Sequence, residues 1–317
     1  MKKILQTIKK YKTFVISTHV NPDPDALCSE LAMAAYLHSI GKKAYVINEK
    51  TVPDRFSFFP GSSKIKEYSP ESKLKFDAVI VLDCGDLSRI GKVEGLIEKN
   101  HRVINIDHHV TNDSFGDVNY VNPKASSTAE ILYEMLKMGR CKFTKNIALC
   151  LYAGIMTDTG SFRFANTTPK THKIVSELVK FKFSTYGIYR KIYENIPLSD
   201  LKEFTQVISR FDTLYDGKVL CVELKKNVLE KFSDYFDLRD TIFKFLRSTR
   251  GAEAFVIFTE VSSKLTRINL RSTGKVNVAK LANQFSGGGH KNASGCQFES
   301  DLKHTRKVFL TAMRRAL

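Results

Sequence analysis

The feature that most constrains the fold of this chain is an alternation, through its first half, of short apolar runs with longer segments of helical periodicity. The runs TFVIST, KAYVINE, FDAVIVLD and RVINID read as strands, and FDAVIVLD is almost wholly apolar, as is typical of a strand buried on both faces. Helical patterns occupy 25–41, 87–100, 126–139 and 144–158. This order predicts an α/β fold with a mostly parallel sheet and helices on both faces.

The alternation weakens after about Lys182, and the pattern changes again near Gly217. Residues 186–211 read as two helices broken at Pro197. The runs KVLCVEL, AFVIFTEV and KLTRINLRS then predict strands of a smaller α/β domain with a mixed sheet, interleaved with three helices. We therefore expect a catalytic domain over 1–194, a helical linker over 195–210 and a substrate-binding domain over 211–317, with the active site in the cleft between the domains.

Composition narrows the class of protein. The 317 residues suit two domains, and no window approaches the roughly 18 apolar residues that a membrane span needs. The first residues lack the apolar core of a signal peptide. The six cysteines form no C-x-x-C pair, which argues against a thiolate zinc site and a disulfide framework. We expect a cytoplasmic protein without membrane association, with buried free thiols.

The formal net charge of +17 would attract polyanions and suits a substrate that carries phosphate. A lysine-rich proteome would give the same total without any such partner. The bulk charge therefore supports a phosphate-bearing substrate without establishing one.

Acidic and imidazole side chains follow three of the predicted strands and close one helix. They are His19, Asp23, Asp25, Asp83, Asp107, His108, His109 and Asp158. Any one alone reads equally well as a helix cap or a turn residue. Together, at the edge where open α/β sheets bind ligands, they would repel each other strongly without a cation. Oxygen and imidazole ligands without thiolate favour Mn²⁺, with Mg²⁺, Co²⁺ or Fe²⁺ as alternatives, and their number suits two ions about 3.5–4 Å apart.

Four stretches, HVNPDPDA, VIVLDCGD, NIDHH and GIMTDTGSFRF, resemble the motifs of the DHH phosphoesterase superfamily. A fifth, FSGGGHKNASG, resembles the signature of the DHH-associated C-terminal domain. That domain argues against the family II pyrophosphatase branch, and the chain length argues against a full RecJ exonuclease. The resemblance is greatest to the compact nano-RNase and pAp phosphatase group.

The resemblance implies roles for individual residues. His19, Asp23 and Asp83 match the ligands of one metal ion. Asp25, Asp83, His108 and Asp158 match the ligands of a second ion, so Asp83 would bridge the two ions. His109 matches a residue aimed at the substrate phosphate. Asp107 would support a ligand histidine from behind.

The glycine-rich stretch of the second half suggests substrate contacts. Gly287, Gly288 and Gly289 could adopt φ > 0 and form an anion-binding loop before His290, and Ser294 could add a hydroxyl donor. Strand alternation in KLTRINLRS places Arg267, Asn269 and Arg271 on one face. Arg271 matches an arginine of the family, whereas Arg89 is a weaker candidate that reads equally well as a surface residue.

These expectations favour a two-metal phosphodiesterase that cuts RNAs of a few nucleotides to nucleoside 5′-monophosphates and dephosphorylates pAp. The same motifs would suit a phosphodiesterase of pApA or cyclic di-AMP. A non-enzymatic nucleic-acid-binding protein with a relict site is a third alternative, and its signature would be a missing ligand. We expect no DNA sequence specificity and leave a homodimer open.

Overall fold

The chain is described from a computed structural model that covers residues 1–71, 74–233 and 235–317. It divides into two compact units, Met1–Glu194 and Asn195–Leu317. Each unit contains its own six-stranded sheet and its own hydrophobic core. The two α/β domains expected from the sequence are therefore present.

The first unit is built on a parallel sheet with the strand order β3-β2-β1-β4-β5-β6. Its strands are β1 Thr13–Ser17, β2 Lys43–Asn48, β3 Lys66–Glu67, β4 Ala78–Leu82, β5 Arg102–Asp107 and β6 Val118–Val121. The strand order reverses between β1 and β4, and such a reversal is where open α/β sheets bind ligands at the carboxyl ends of their strands. The parallel sheet is confirmed.

Helices cover one face of this sheet. They are α1 Lys2–Lys10, α2 Pro24–Ser39, α3 Thr128–Met138, α4 Lys145–Asp158, α5 Pro169–Val179 and α6 Thr185–Tyr193. Leu27, Leu132 and Ile155 from α2, α3 and α4 are fully buried in one core with Ile80 of β4. Because α2 and α4 are apolar around most of their circumference, both lie in the interior.

The other face is covered by a segment that the sequence predicts as an α-helix over 87–100. In the structure, Leu87–Leu96 is 3₁₀ helix bent at Gly91, whose φ of 61° and ψ of −138° are not helical. The Glu49 carboxylate accepts a hydrogen bond from the Lys92 N–H at 2.8 Å and lies where a side chain at position 91 would be. The helix prediction was therefore wrong here, because glycine permits a backbone that packs against Glu49.

The second unit has a mixed sheet with the order β11-β12-β10-β9-β8-β7. Its strands are β7 Asp212–Leu214, β8 Val219–Leu224, β9 Ala254–Ser262, β10 Leu265–Ser272, β11 Gly288–His290 and β12 Ala293–Phe298. Its helices are α7 Leu198–Ile208, α8 Lys226–Leu229, α9 Leu238–Leu246, α10 Val278–Asn283 and α11 Leu302–Ala316. Strands β8 and β9 pair in parallel and the other pairs are antiparallel, which confirms the mixed sheet.

Different helices pack on the two faces of the second sheet. Ile268 and Leu270 of β10 are buried beside α10 and α11 on one face. On the other face, α9 packs over Phe255 and Ile257 of β9. The alternating burial of β10 confirms that Arg267, Asn269 and Arg271 lie opposite Ile268 and Leu270.

Two further expectations can be compared with the structure. None of the helices in the described part of the chain is long and apolar enough to cross a membrane. The six cysteines are free, and all but the partly buried Cys141 lie in the interior, as expected.

Candidate metal centre

The acidic and imidazole side chains singled out in the sequence meet at the carboxyl edge of β1, β4 and β5. His19 follows β1, Asp83 follows β4, and His108 follows β5. The first turn of α2 contributes Asp25, and the last residue of α4 is Asp158. We call His19, Asp23, Asp25, Asp83, His108 and Asp158 the acidic cluster. Its members come from four separate segments of the chain, which the fold of the first unit brings together.

Asp83 lies at the centre of this cluster. Its backbone has a left-handed φ of 58°, which aspartate tolerates better than most residues, and its N–H donates to the Ile106 carbonyl at 3.1 Å. Its Oδ2 lies 3.8 Å from His19 Nε2, and its Oδ1 lies 3.5 Å from His108 Nε2. The two oxygens of this buried carboxylate therefore face two different histidines.

Asp23 and Asp25 differ sharply although a single proline separates them. Asp23 is exposed and caps α2 by accepting a hydrogen bond from the Ala26 N–H at 3.0 Å. Asp25 is fully buried, and its two oxygens accept hydrogen bonds from the N–H groups of Thr128 and Ala129 at 2.8 and 3.0 Å. Gly154 leaves room for this carboxylate, because a Cβ there would lie 2.5 Å from Asp25 Oδ1.

The residues of the DHH triplet, Asp107, His108 and His109, make contacts in two different places. His108 Nε2 lies 3.1 Å from Asp158 Oδ2 inside the acidic cluster. Asp107 Oδ1 is hydrogen-bonded to His109 Nδ1 at 2.7 Å, so it supports the histidine expected to face substrate and not a ligand histidine. The expectation for Asp107 is corrected in this respect, since His108 contacts this carboxylate through its backbone N–H and not through its side chain.

Asp107 and His109 each stabilise the charged form of the other. The hydrogen bond that His109 donates to the Asp107 carboxylate raises the pKa of His109 despite its burial. Burial alone would raise the pKa of Asp107, but the hydrogen bond and charge of His109, together with Asn112, lower it. Both shifts favour a charged pair, so the His109 imidazolium is stabilised in a fixed orientation.

The carboxylates of the acidic cluster oppose each other. Burial and then repulsion by neighbouring aspartates raise the pKa values of Asp25, Asp83 and Asp158, and nearby histidines only partly offset this for Asp83. In two groups of side chains the potential ligand atoms lie within 4.8 Å of one another. One group is His19, Asp23 and Asp83, and the other is Asp25, His108 and Asp158. Such a set of crowded oxygens and imidazoles fits divalent cations.

The tautomer of His19 agrees with this fit. Its Nδ1 lies 3.0 Å from the Val20 carbonyl oxygen, which can only accept, so Nδ1 carries the proton. The Nε2 lone pair is then directed toward Asp83 and is available to a metal.

Sequence reasoning missed two residues that hold this site together. The Thr128 hydroxyl donates to Asp83 Oδ1 at 2.9 Å. The Asn112 amide donates to Asp107 Oδ2 and to the Cys84 carbonyl, both at 2.7 Å. The sequence around Thr128 predicts only a helix over 126–139, and a lone asparagine after DHH carries no signal.

Arg89 is exposed on the 3₁₀ segment, near enough to the site for its charge to oppose the rise in the pKa of His109. Its carbonyl accepts a hydrogen bond from the Val20 N–H at 2.7 Å, which ties this segment to the residue after His19. Arg89 therefore stands beside the acidic cluster but outside it.

In the second unit, the expected glycine loop is instead the short edge strand β11. Among Gly287, Gly288 and Gly289, only Gly289 has a positive φ, of 134°. A Cβ at Gly287 or Gly289 would lie 2.4 or 2.5 Å from a backbone oxygen of β12, whereas Gly288 faces open space. The loop prediction was therefore wrong, since two of the glycines are needed for close pairing of the hairpin.

His290 and Arg271 lie in one row across this sheet. Both are opposite Ala293 in register, so the three side chains share a face. We call Arg271, Ala293 and His290 the polar row. The Arg271 guanidinium lies 4.9 Å from the ring centroid of Phe243, and His290 is exposed.

Ser294 does not join the polar row. Alternation along β12 directs its side chain to the opposite, buried face, where its hydroxyl donates to the His290 carbonyl at 2.8 Å. Its hydroxyl therefore stabilises the hairpin and is not presented beside His290 and Arg271.

Comparison with known proteins places the chain among phosphoesterases. Residues 13–155 match the DHH family N-terminal domain and residues 223–317 match the DHHA1 domain. The chain is 31% identical over 300 residues to the bifunctional oligoribonuclease and PAP phosphatase NrnA of Bacillus subtilis, covering 94% of this chain and 93% of that protein. It is 33% identical to the NrnA of Thermus thermophilus, covering 95% and 89%.

A solved structure agrees with this assignment. An exopolyphosphatase-related protein from Bacteroides fragilis superposes with a TM-score of 0.89 at 29% identity, covering 99% of this chain and 95% of that one. The chain belongs to the DHH family, and its resemblance to the nano-RNase and pAp phosphatase group is confirmed.

Proposed function

We propose that this protein hydrolyses short oligoribonucleotides to nucleoside 5′-monophosphates and removes the 3′-phosphate of pAp, using two divalent cations. The observation that carries the proposal is the placement of Asp83, whose two carboxylate oxygens face different histidines. Relatives that match nearly the whole chain are named for these two activities.

The acidic cluster would hold the two ions. His19, Asp23 and Asp83 are the proposed ligands of one, and Asp25, Asp83, His108 and Asp158 those of the other. When bound, divalent cations at this site would supply Lewis-acid stabilisation of phosphate charge and a water molecule of lowered pKa. Mn²⁺ is the proposed ion because the ligands combine carboxylate with imidazole.

The residues around the cluster would act on the substrate. His109, held by Asp107 and favoured in its charged form, would donate a hydrogen bond to a non-bridging phosphate oxygen and stabilise the charge that develops there. Arg89 is a weaker candidate for the same role because it is exposed on the neighbouring segment.

The second unit would bind the nucleotide next to the scissile bond. Arg271 and His290 share one face of the sheet, and the small side chain of Ala293 between them leaves space for a ligand. A guanidinium held against Phe243 can grip a phosphate or stack on a base. The exposed Gly288 would allow close approach of the ligand to the backbone.

A panel of substrates tests the proposal. Short RNAs of graded length and pAp should be hydrolysed with Mn²⁺ and not with a chelator, while pApA and cyclic di-AMP in the same assay separate the alternative phosphodiesterase activities. Absence of metal-dependent hydrolysis of all of them would favour a relict nucleic-acid-binding protein, although each proposed ligand position is filled in this chain. A cytoplasmic location, a homodimer and the lack of DNA sequence specificity stay predictions.

A further inference from the structure

We infer that Thr128 is a positioning residue that sets which oxygen of Asp83 faces each metal position. This inference rests on the proposed two-metal function. Thr128 is the first residue of α3, is fully buried, and donates its hydroxyl hydrogen to Asp83 Oδ1 at 2.9 Å.

Asp83 needs such a donor because the terminal torsion of an aspartate is broad and leaves the carboxylate plane weakly defined. The histidine nitrogens His19 Nε2, His108 Nε2 and His109 Nδ1 lie 3.8, 3.5 and 3.7 Å from its oxygens, beyond ordinary hydrogen-bond length. In the part of the chain that the structure describes, the Thr128 hydroxyl supplies the side-chain hydrogen bond to this carboxylate. It therefore fixes Oδ1 on the His108 side and leaves Oδ2 on the His19 side.

The same helical turn also fixes Asp25. The N–H groups of Thr128 and Ala129 donate to Asp25 Oδ2 and Oδ1, so the first turn of α3 holds two carboxylates at once. Asp25 and Asp83 are both proposed ligands of the ion that His108 and Asp158 also bind. Loss of the Thr128 hydroxyl should therefore weaken the binding of that ion and affect the binding of the other ion less.

Substitutions at position 128 separate the hydroxyl from the methyl group. Thr128→Val keeps the shape and removes the donor, whereas Thr128→Ser keeps the donor and removes the methyl. Thr171→Val is the matched control, because Thr171 is equally buried and its hydroxyl donates to the Glu130 carboxylate at the same 2.9 Å distance, outside the acidic cluster. Thr128→Ala compared with Thr128→Ser repeats the contrast at smaller side-chain volume should the valine variant not fold.

Calorimetric titration with Mn²⁺ is the primary readout, with thermal unfolding as the control for the fold. We expect Thr128→Val to weaken one of two Mn²⁺ sites by about 10- to 100-fold, as for loss of other groups that orient ligands. Thr128→Ser and Thr171→Val should bind both ions as the unsubstituted protein does. Hydrolysis of bis(p-nitrophenyl) phosphate should fall in parallel with Mn²⁺ affinity.

The outcomes distinguish this inference from the proposed function. If the unsubstituted protein binds two Mn²⁺ ions and Thr128→Val binds them equally well, the positioning role is overturned and the two-metal function stands. Weaker Mn²⁺ binding by Thr128→Ser than by Thr128→Val would also overturn it, because packing of the methyl would then be what matters. An unsubstituted protein that binds no Mn²⁺ overturns both.

Discussion

The acidic cluster of the first unit and the polar row of the second differ in how their side chains are held. Asp25 and Asp83 of the acidic cluster are buried and hydrogen-bonded to α3. In the polar row, His290 is exposed and Arg271 rests on an aromatic ring. Groups that must meet metal ions within tenths of an ångström are fixed in advance, whereas groups that grip a nucleotide can adjust to it.

The largest expected effect comes from Asp83→Ala, which removes the residue common to both metal positions. It should abolish binding of at least one ion and lower kcat/KM by about 10³-fold or more on every substrate, since Lewis-acid stabilisation contributes several kcal/mol. Metal analysis after dialysis and hydrolysis assays check this. His19→Ala should lose one ion and keep the other. Two retained ions and an unchanged rate in the Asp83 variant would contradict the bridging role.

A smaller loss is expected when the support of His109 is removed. Asp107→Asn replaces the carboxylate that orients His109 Nδ1 with an amide, so activity should fall by about 10- to 100-fold on all substrates. Because Asp107 is hydrogen-bonded to His109 and not to the side chain of His108, Mn²⁺ stoichiometry should be unchanged. Loss of an ion in this variant would show that Asp107 belongs to the acidic cluster itself.

Substitutions in the polar row should discriminate between substrates. Arg271→Ala and His290→Ala should each lower kcat/KM on a dinucleotide by about 2 kcal/mol, roughly 30-fold, if a charge-assisted contact is lost. The same variants should cleave bis(p-nitrophenyl) phosphate at near the normal rate, because it has no neighbouring nucleotide.

Arg267→Ala is the matched control, since Arg267 lies on the same face of β10 but outside the polar row. Thermal unfolding of the Arg271 variant checks the lost packing on Phe243. Equal losses on both substrates would mean that the row serves the chemistry or the fold, and the difference between the two regions would disappear.

The smallest expected effects come from alanine substitution at the two glycines of β11, which should respond differently. Gly289→Ala should destabilise the second unit by about 1–3 kcal/mol, because its φ of 134° is unfavourable for alanine and the added methyl would meet the Ala293 carbonyl oxygen. Gly288→Ala should change the unfolding temperature little, because nothing lies within 4 Å of a Cβ there. If Gly288→Ala still weakens dinucleotide binding, a ligand approaches that backbone, and no change in binding would argue against such an approach.

The sequence was informative where period and spacing decide structure. The apolar strands β1, β4 and β5, and the acidic residues directly after them, could be placed because parallel strands end at one edge. The segment after β4 was misjudged because its bend at Gly91 depends on Glu49, about forty residues away in sequence.

Two other features were missed. Helix α5 was not predicted, and neither were the hydrogen bonds that the Glu130 carboxylate accepts from the hydroxyls of Ser126 and Thr171. Thr128 carried no signal of its own because a hydroxyl at a helix start normally indicates a cap. The contacts of Glu130 with Thr171 and of Thr128 with Asp83 join residues about forty positions apart, which no local pattern encodes. Helix α5, in contrast, has local signals in the Thr168 cap and in Pro169.

The strand orders described above have a consequence for association between copies. The edge strands are β3 and β6 in the first sheet and β7 and β11 in the second, and they contain two, four, three and three residues. Strands this short have few backbone groups of their own to offer a neighbouring chain, and β3 consists of a lysine and a glutamate, which further discourages pairing. Short edge strands and charged residues at a sheet edge both oppose edge-to-edge aggregation between copies of the chain.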